Sequence, residues 1–440
     1  MALGGGTFTT QSKTLPGSYI NFISAAAASS DLSDRGIVAL PLSMDWGNES
    51  GIFEVNADTV AANSMKLFGY SFTDVLMKDV REVFKHAKKA FVYRLNGGGV
   101  KATVTIGALV VTAKYGGTRG NAIKMVITAN VITPANFDVK TYVGTELVDS
   151  QTNVVNIAGL VANDYVTFNA SGVLTLTAGT NLATGTNITV TGTQHTAFLA
   201  AAEAYAFNTM VCATTDAPTI ALYVAYVKRR RDDNGVKFQV VVYQTASDHE
   251  GVISVENAVT DAGANAWSLV YWVGGIAAGV AINQSNTNKT YDGEYTINAS
   301  FTQAQLETNI KAGKFMLHRN GDTIRILTDI NTLVTTTASK GASFQSNQTI
   351  RVLDQIANDI AVIFNNKYIG QIPNDEAGRI SFWNDIVKHH QELQNIRAIE
   401  NFKAEDVVIS AGSSKKSIVV NDLVTVTNAM EQLYMTTVVN

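Results

Sequence analysis

The chain changes character at Asn96-Gly97-Gly98-Gly99, and that change decides how many cores it can build. Three glycines in a row make a flexible breaker after a strand-like run. From Val100 to about Thr193 the chain consists of short alternating segments, among them Val100-Lys101-Ala102-Thr103-Val104-Thr105-Ile106 and Val173-Leu174-Thr175-Leu176-Thr177. Gly and Asn punctuate them, and between Ser150 and Ala202 Asp164 is the only acidic or basic residue. Regularly spaced short strands with turn signals predict a β-sandwich or barrel.

The flanks follow a different period. Ile37-Val38-Ala39-Leu40 reads as a strand, and Val75, Leu76, Val80, Val83, Phe84 and Ala87 recur at helical spacing between Asp74 and Lys89. Phe91-Val92-Tyr93-Arg94-Leu95 is the next strand. Beyond the insertion, Thr196 to Phe207 is Ala-rich and helical, Met210 to Ala213 is a strand, and Asp216-Ala217-Pro218 offers an N-cap with Pro in the first turn. Ile220, Tyr223, Val224 and Val227 continue that helix, and Lys237 to Tyr243 is again a strand. Strand, helix, strand predicts a parallel sheet flanked by helices, with the β-rich segment inserted on one of its loops.

The last third mixes both periods. Asn320-Gly321 between the runs Lys314 to Arg319 and Asp322 to Leu327 predicts a hairpin. Ile350, Leu353, Ile356, Ile360 and Ile363 mark one amphipathic helix, and Ile380, Trp383, Val387, His390, Leu393 and Ile396 mark one face of a second. Val407-Val408-Ile409 and Ile418 to Thr427 read as strands. Both ends of the chain, with Thr7, Phe8, Tyr19 and Phe22 at the front and Ile418, Val420, Val424, Val426, Tyr434 and Val438 at the back, read as extended β segments running past any core. Unpaired strands expose rows of N–H and C=O groups that invite another chain, so these ends predict self-assembly.

At 440 residues the chain is too long for one ordinary core, and about two to four domains are expected. A net charge of −4 gives no global attraction to nucleic acid or to an anionic membrane. The longest apolar run, Leu269 to Ile282, falls short of the roughly 20 residues that span a bilayer and reads as buried core. The first residues lack the basic and apolar segments of a secretion signal, so folding in a cytoplasm is expected. A single cysteine, Cys212, excludes an intrachain disulfide, and its apolar setting reads as a buried structural thiol.

Candidate chemistry is sparse. His86, His195, His249, His318, His389 and His390 form no metal-ligand pattern with one another or with Cys212. His249 between Asp248 and Glu250 could be drawn as a general base, but Asp248-His249-Glu250-Gly251 has the composition of an exposed turn. His389 and His390 point about 100° apart on their helix, which predicts one facing the core and one facing solvent. Lys228 to Arg231 reads as a solvated helix end, with Gly235 as its C-cap. Gly274-Gly275-Ile276-Ala277-Ala278-Gly279 does not match a dinucleotide fingerprint and predicts close packing; Gly412 to Ser417 lacks the first half of a phosphate loop. No catalytic residue, cofactor or metal site is therefore expected.

Three phrases carry a family resemblance: Leu15-Pro16-Gly17-Ser18-Tyr19-Ile20-Asn21-Phe22, Ala113-Lys114-Tyr115-Gly116-Gly117-Thr118-Arg119-Gly120-Asn121, and the helix-plus-strand final third. In this order they resemble the tail sheath proteins of contractile bacteriophages, closest to those of myophages, defective prophages and phage-tail-like bacteriocins of Gram-positive bacteria. The resemblance implies a subtilisin-like, non-catalytic α/β core, an inserted β-sandwich domain, an α+β C-terminal domain facing a tail tube, and extended arms that add strands to neighbouring subunits.

On that basis residues 1–22 are an N-terminal arm, 23–95 the first part of the core, 96–194 the sandwich, 195–335 the subtilisin-like sheath domain, 336–416 the tube-facing domain and 417–440 a C-terminal arm. Gly4-Gly5-Gly6 and Ala411-Gly412-Ser413-Ser414 would be hinges between arms and core. Arg379, Lys388 and Arg397 are the candidate tube-facing cations. The implied partners are further copies in stacked hexameric rings forming a helical sheath, the tail tube protein, and baseplate and tail terminator proteins, with no nucleic acid and no membrane insertion. The implied place is the virion tail or a phage-tail-like particle, assembled in the bacterial host cytoplasm. A secreted surface-layer or adhesin-like protein is the alternative, and a hydrolase built on the α/β domain a more distant one.

Overall fold

The computed structural model describes residues 32–169 and 171–439. It begins with β1 (Ile37–Leu42), β2 (Phe53–Asn56), α1 (Val60–Phe68), α2 (Lys78–Phe84) and β3 (Lys89–Arg94). The insertion follows as β4 (Lys101–Ile106), β5 (Leu109–Gly116), β6 (Ile123–Ala129), β7 (Phe137–Val143), β8 (Glu146–Val154), β9 (Val166–Asn169) and β10 (Thr177–Asn181). Next come α3 (Gly192–Ala202), β11 (Thr209–Val211), α4 (Ala217–Lys228), β12 (Gln239–Tyr243), β13 (Val252–Val255), α5 (Leu269–Gly279), α6 (Gln303–Lys311) and β14 (Lys314–Phe315). The rest comprises β15 (Leu317–Asn320), β16 (Thr323–Ile326), α7 (Asn347–Ile363), α8 (Glu376–Asn395), β17 (Ile399–Glu400), β18 (Val407–Ala411), β19 (Ile418–Asp422) and β20 (Thr425–Val426).

Seven strands from both sides of the insertion share one sheet, in the order β14-β13-β12-β11-β1-β3-β2. All neighbours run parallel except β2, which pairs antiparallel at the edge. A parallel sheet covered on both faces needs apolar residues at consecutive positions, and all five residues of β12 are buried. Val241 joins the core beneath α2 and α5, while Val240 and Val242 join the core beneath α3 and α4. Asp216 caps α4 by accepting from the Thr219 amide, as its Asp-Ala-Pro sequence predicts.

The glycines of α5 serve close packing. A Cβ on Gly275 would run into the Val83 carbonyl, and one on Gly279 into the His86 carbonyl. Absent side chains thus let α5 lie directly against α2, and ten of its residues are buried.

The insertion is a β-sandwich of a three-stranded sheet, β4-β5-β9, and a four-stranded sheet, β10-β6-β7-β8. Alternate residues fill the space between them, among them Leu109, Val111, Ile123, Met125, Ile127 and Val139. The body contributes Trp46 to the same core, stacked on Tyr165 and edge-on to Tyr115.

By internal contacts the chain forms two compact units, one of Ser33–Asn358, Ile396–Glu400 and Thr425 onward, the other containing Asp359–Asn395 and Asn401–Val424. In the first, the predicted hairpin is present, but Asn320 pairs with Thr323, so the two-residue loop is Gly321-Asp322 with Gly321 at φ +59. In the second, α8 packs on the two-stranded sheet β18-β19, whose Val407 carbonyl accepts from the Trp383 indole N–H at 2.9 Å.

Candidate functional site

A structural subunit works through its surfaces, and one open surface among the described residues is the β18-β19 hairpin. Its register runs from Val407↔Asp422 to Ala411↔Ile418. Alternation places Ile409 and Val420 on one face and Val408 and Val419 on the other, where Val408 is 53% and Val419 47% exposed. Among the described residues each strand pairs only with the other, so both outer edges keep unpaired backbone groups. An isolated two-stranded sheet is marginal in water, and further strands would complete it.

This arrangement corrects two expectations about the C-terminal arm. Ile418 and Val420 pair inside their own chain, because a six-residue connection from Ala411 brings a local partner within reach before any neighbour can. Ala411-Gly412-Ser413-Ser414 is accordingly the tight end of a hairpin and not a hinge: the Gly412 amide donates to the Ser417 carbonyl at 2.8 Å and the Ser414 amide to Ser417 Oγ at 3.0 Å. Val426 lies in β20, paired antiparallel with β17, and Val424 is half-buried between the two pairings. Beyond them the chain stays sewn to its own unit as far as Glu431, whose carboxylate accepts from Thr287 at 2.6 Å and Thr328 at 2.9 Å. Gln432 to Val439 is the exposed remainder: Leu433 is 85%, Tyr434 87% and Val438 80% exposed. Thr7, Phe8, Tyr19, Phe22 and the Gly4-Gly5-Gly6 segment lie outside the described residues.

The three candidate cations do not form one row. Arg379 turns back on its own helix start, donating to the Asn374 carbonyl and side chain at 3.3 and 3.0 Å. Lys388 is exposed and lies 3.8 Å from Glu392 one turn on. Arg397 is past the end of α8, in a left-handed conformation at φ +60. The helix face also differs from the expected one: Phe382, Ile386, Val387, His389, His390 and Leu393 are buried, whereas Ile380 is 52% and Ile396 37% exposed. Beside the helix start, a groove of about 640 Å³ runs past Phe364, Tyr368, Ile372, Phe382 and Ile418, with Arg379, Lys415 and Lys416 on its rim.

Buried charge is where sequence reasoning fell short. His249 and Glu250 are buried, not on an exposed turn, and with Asp232 they form a compact cluster. His249 Nε2 lies 3.2 Å from Asp232 Oδ2, and Glu250 takes the Lys340 ammonium at 2.7 Å. The Gly251 amide donates to His249 Nδ1 at 3.0 Å, which leaves the ring hydrogen on Nε2, pointed at the carboxylates. A metal would need that nitrogen bare, and a hydroxyl nucleophile would need it as acceptor, so the cluster fits neither role. Burial holds the imidazole below its usual range against the pull of Glu250 and Asp232.

Arg231 likewise leaves the solvated helix end predicted for it. It is buried and bidentate to Asp354 on α7 at 2.7 Å for both contacts, because the helix widens into a π-type turn at Arg229–Asp233 that carries the side chain inward. Arg351 pairs with Asp329 at 3.0 Å, and Asn347 accepts from Gln239 at 2.9 Å. The signal was present as Asn347, Arg351, Asp354 and Asn358, a polar stripe at helical spacing inside an apolar pattern. His389 and His390 are both fully buried, each against a carboxylate, Asp359 and Asp422 respectively.

An α/β body with an inserted sandwich, buried charges neutralised internally and, among the described residues, unpaired strand edges on the C-terminal hairpin defines an assembling structural subunit. Comparison with known proteins gives its family. Residues 35–95 match the N-terminal region of domain III of tail sheath protein Gp18, 97–187 the phage tail sheath protein β-sandwich domain, 189–332 the phage tail sheath protein central domain, and 339–440 the phage tail sheath C-terminal domain. The chain is 33% identical to the phage-like element PBSX protein XkdK of Bacillus subtilis (strain 168) over the full length of both. The crystal structure of a sheath tail protein from Desulfitobacterium hafniense superposes with a TM-score of 0.82 at 38% identity, covering 94% of this chain and 98% of that one. The helical sheath of the anti-feeding prophage in its contracted state shares the fold at a TM-score of 0.58 and 10% identity, over 97% and 99% of the two chains. The chain belongs to the phage tail sheath family and is a structural subunit of a contractile tail sheath.

Proposed function

We propose that copies of this chain stack as hexameric rings around a tail tube and are joined by strands that neighbours add to the β18-β19 hairpin. The single observation that carries this reading is a hairpin whose two outer edges have no strand partner among the described residues and which has an exposed apolar face. Backbone hydrogen bonds would supply the link, and Val408 and Val419 would set its register through alternate side chains. The incoming strands come from residues 1–22 and from the exposed remainder after Glu431, a shorter C-terminal arm than 417–440.

The subunit does mechanical work and no chemistry. A subtilisin-like body without a catalytic constellation, flanked by the sandwich and the helix-plus-hairpin region along the boundaries given above, moves as rigid parts while the arms keep copies connected. Work is stored as the difference between two packings of the same subunits, released on a signal from a baseplate, and drives the tube through the bacterial envelope. Tube, baseplate and terminator proteins are the proposed partners, and assembly takes place in the host cytoplasm. Of the three cations, Lys388 is an exposed residue of α8 and a candidate for a tube contact. Arg379 and Arg397 remain candidates from separate positions.

Electron microscopy of the full chain and of a chain ending at Glu431 tests the arm. The full chain should form rings or tubes, and the shortened chain should fold, elute as a monomer and form none. Tubes of normal appearance from the shortened chain would overturn the arm.

A further inference from the structure

The carboxyl ends of the parallel strands open onto a cleft of about 640 Å³ that lies wholly in the first unit. β1 and β11 are neighbours there, yet the chain leaves β1 through α2 towards β3 and leaves β11 through α4 towards β12, on opposite faces of the sheet. An open α/β sheet has its binding crevice at such a reversal, outside the strand ends. Leu42, Met44 and Leu95 line it where β1 and β3 end, and α3, α4 and α5 all begin beside it.

Two donors on this lining have no acceptor among the described residues. His195 on α3 is 7% exposed, and its one hydrogen bond joins Nδ1 to Tyr223 Oη at 2.7 Å. Tyr223 is at 0% exposure and its hydroxyl hydrogen has no other acceptor, so the phenol donates to Nδ1 and the ring hydrogen stands on Nε2. Burial holds this imidazole below its usual range, which keeps it neutral. Tyr271 on α5 is 4% exposed, and its hydroxyl makes no hydrogen bond either. Donors buried to this degree are costly to leave unmet, and the cleft that both side chains line is where an acceptor can reach them. Two carboxylates line the same cleft. Asp79 accepts from Tyr295 Oη at 2.6 Å, while Asp216 takes the Thr219 amide and hydroxyl on Oδ2 at 3.0 and 2.6 Å and keeps Oδ1 free among the described residues.

We propose that this cleft binds a neutral sugar, held between the His195 and Tyr271 donors and the Asp79 and Asp216 carboxylates. Charge selects the class. An anion would meet two carboxylates and no lysine or arginine on the lining, and the helix starts that could attract it at α3 and α4 are already capped by Thr191 and Asp216. A cation would meet the positive ends of three helices. A sugar hydroxyl suits both sets of groups, because it donates to a carboxylate while accepting from the His195 Nε2–H or the Tyr271 O–H. Trp267 stands edge-on to Tyr271 with ring centroids 5.9 Å apart and gives the lining an aromatic surface for the C–H face of a sugar ring.

The unassembled full chain, labelled with ¹⁵N in its histidines, is titrated with glucose, galactose and N-acetylglucosamine, and with inorganic phosphate and methylguanidinium for comparison. At least one sugar should bind saturably in the millimolar range and move the His195 Nε2 resonance, with neither ion doing so. Tyr271→Phe removes one hydroxyl and leaves the ring in place, and it should weaken that sugar about tenfold. Dextran acting as well as glucose would point to the chain ends of a glycan, and glucose acting alone to a free sugar; both support the site. Three results would overturn it: no sugar moving the His195 resonance, an equal response to phosphate or methylguanidinium, or an unchanged affinity in Tyr271→Phe. If that variant does not fold, the His195 resonances of the wild-type chain decide alone.

Discussion

At the junction between sandwich and body, polar group meets polar group, whereas the C-terminal hairpin and tail leave theirs to solvent. Arg94 sits at the end of β3 and donates to the carbonyls of Met44, Gly47 and Gly116 at 2.8, 3.1 and 2.9 Å, and to the Asn187 side chain at 3.3 Å. Glu49 accepts from the amides of Gly98 and Gly116, and Arg119 donates to the Gly69 carbonyl at 2.7 Å while lying over the Tyr70 ring. Backbones approach so closely that a Cβ on Gly99 or Gly117 would strike the carbonyl of Thr186 or Asp45. The phrase Lys114 to Asn121 that carried the family resemblance therefore closes a weld. The other region is the reverse, with strand edges that are unpaired among the described residues and apolar side chains more than three-quarters exposed at Leu433, Tyr434 and Val438. Buried satisfaction fixes geometry within a subunit; unsatisfied surface is what a subunit can offer to a neighbour.

The largest effect expected from this contrast is on the weld. Arg94→Met would orphan three buried carbonyls and leave Glu49 without the guanidinium 3.8 Å away. Breaking a buried pair on one side costs roughly 3–5 kcal/mol. Urea unfolding of the full chain should show that loss, with the sandwich becoming protease-sensitive before the body. A loss below about 1 kcal/mol, the size of an ordinary hydrogen bond, would mean that the junction is not a weld.

How much of this was legible follows from how far each signal reaches. The alternation of β4 to β10, the apolar run Val240 to Tyr243 in β12 and the glycines of α5 are local patterns, and each predicted its element or its packing. Arg231 and Asp354 are 123 residues apart, so nothing near Arg231 distinguished a buried partner from a solvated helix end. The same holds for His249 and Glu250, held by Thr332 and Lys340 respectively from a distant loop, and for His390, whose partner arrives with β19. The arm misled in the opposite direction: strand propensity at Ile418 to Asp422 was read correctly, but propensity does not say which strand will be the partner. Lys388 and Arg379 could be placed on a helix by period alone, whereas Arg397 could not, because the helix ends at Asn395 on a turn the period does not encode.

A second sealed site tests whether buried satisfaction is costly to maintain. Glu82 on α2 is at 0% exposure, accepting from Tyr291 Oη at 2.9 Å and from the Glu294 amide. Burial raises its carboxyl from 4.5 to about 7, with those two donors pulling only partly the other way. The folded chain therefore keeps a proton that the unfolded chain has released. This stabilisation is complete below about pH 4.5 and is lost as pH rises to and through about 7, by on the order of 3 kcal/mol at most. Glu82→Gln should unfold like the wild type in acid and resist urea better than it above neutrality. Parallel pH profiles for the two proteins would show that Glu82 is ionised in the fold.

The smallest effect on the monomer should come from the open region. Val408 and Val419 sit on the exposed face of the hairpin, so Val408→Lys with Val419→Lys removes little buried area. Exposed substitutions of this kind usually stay within about 0.5 kcal/mol. Cation rows on a strand face are, however, a standard way of refusing an added strand. The double variant should therefore melt like the wild type and fail to form tubes. The reverse outcome, a destabilised monomer that still assembles, would make the hairpin part of the sealed interior and leave the arms without a landing site there.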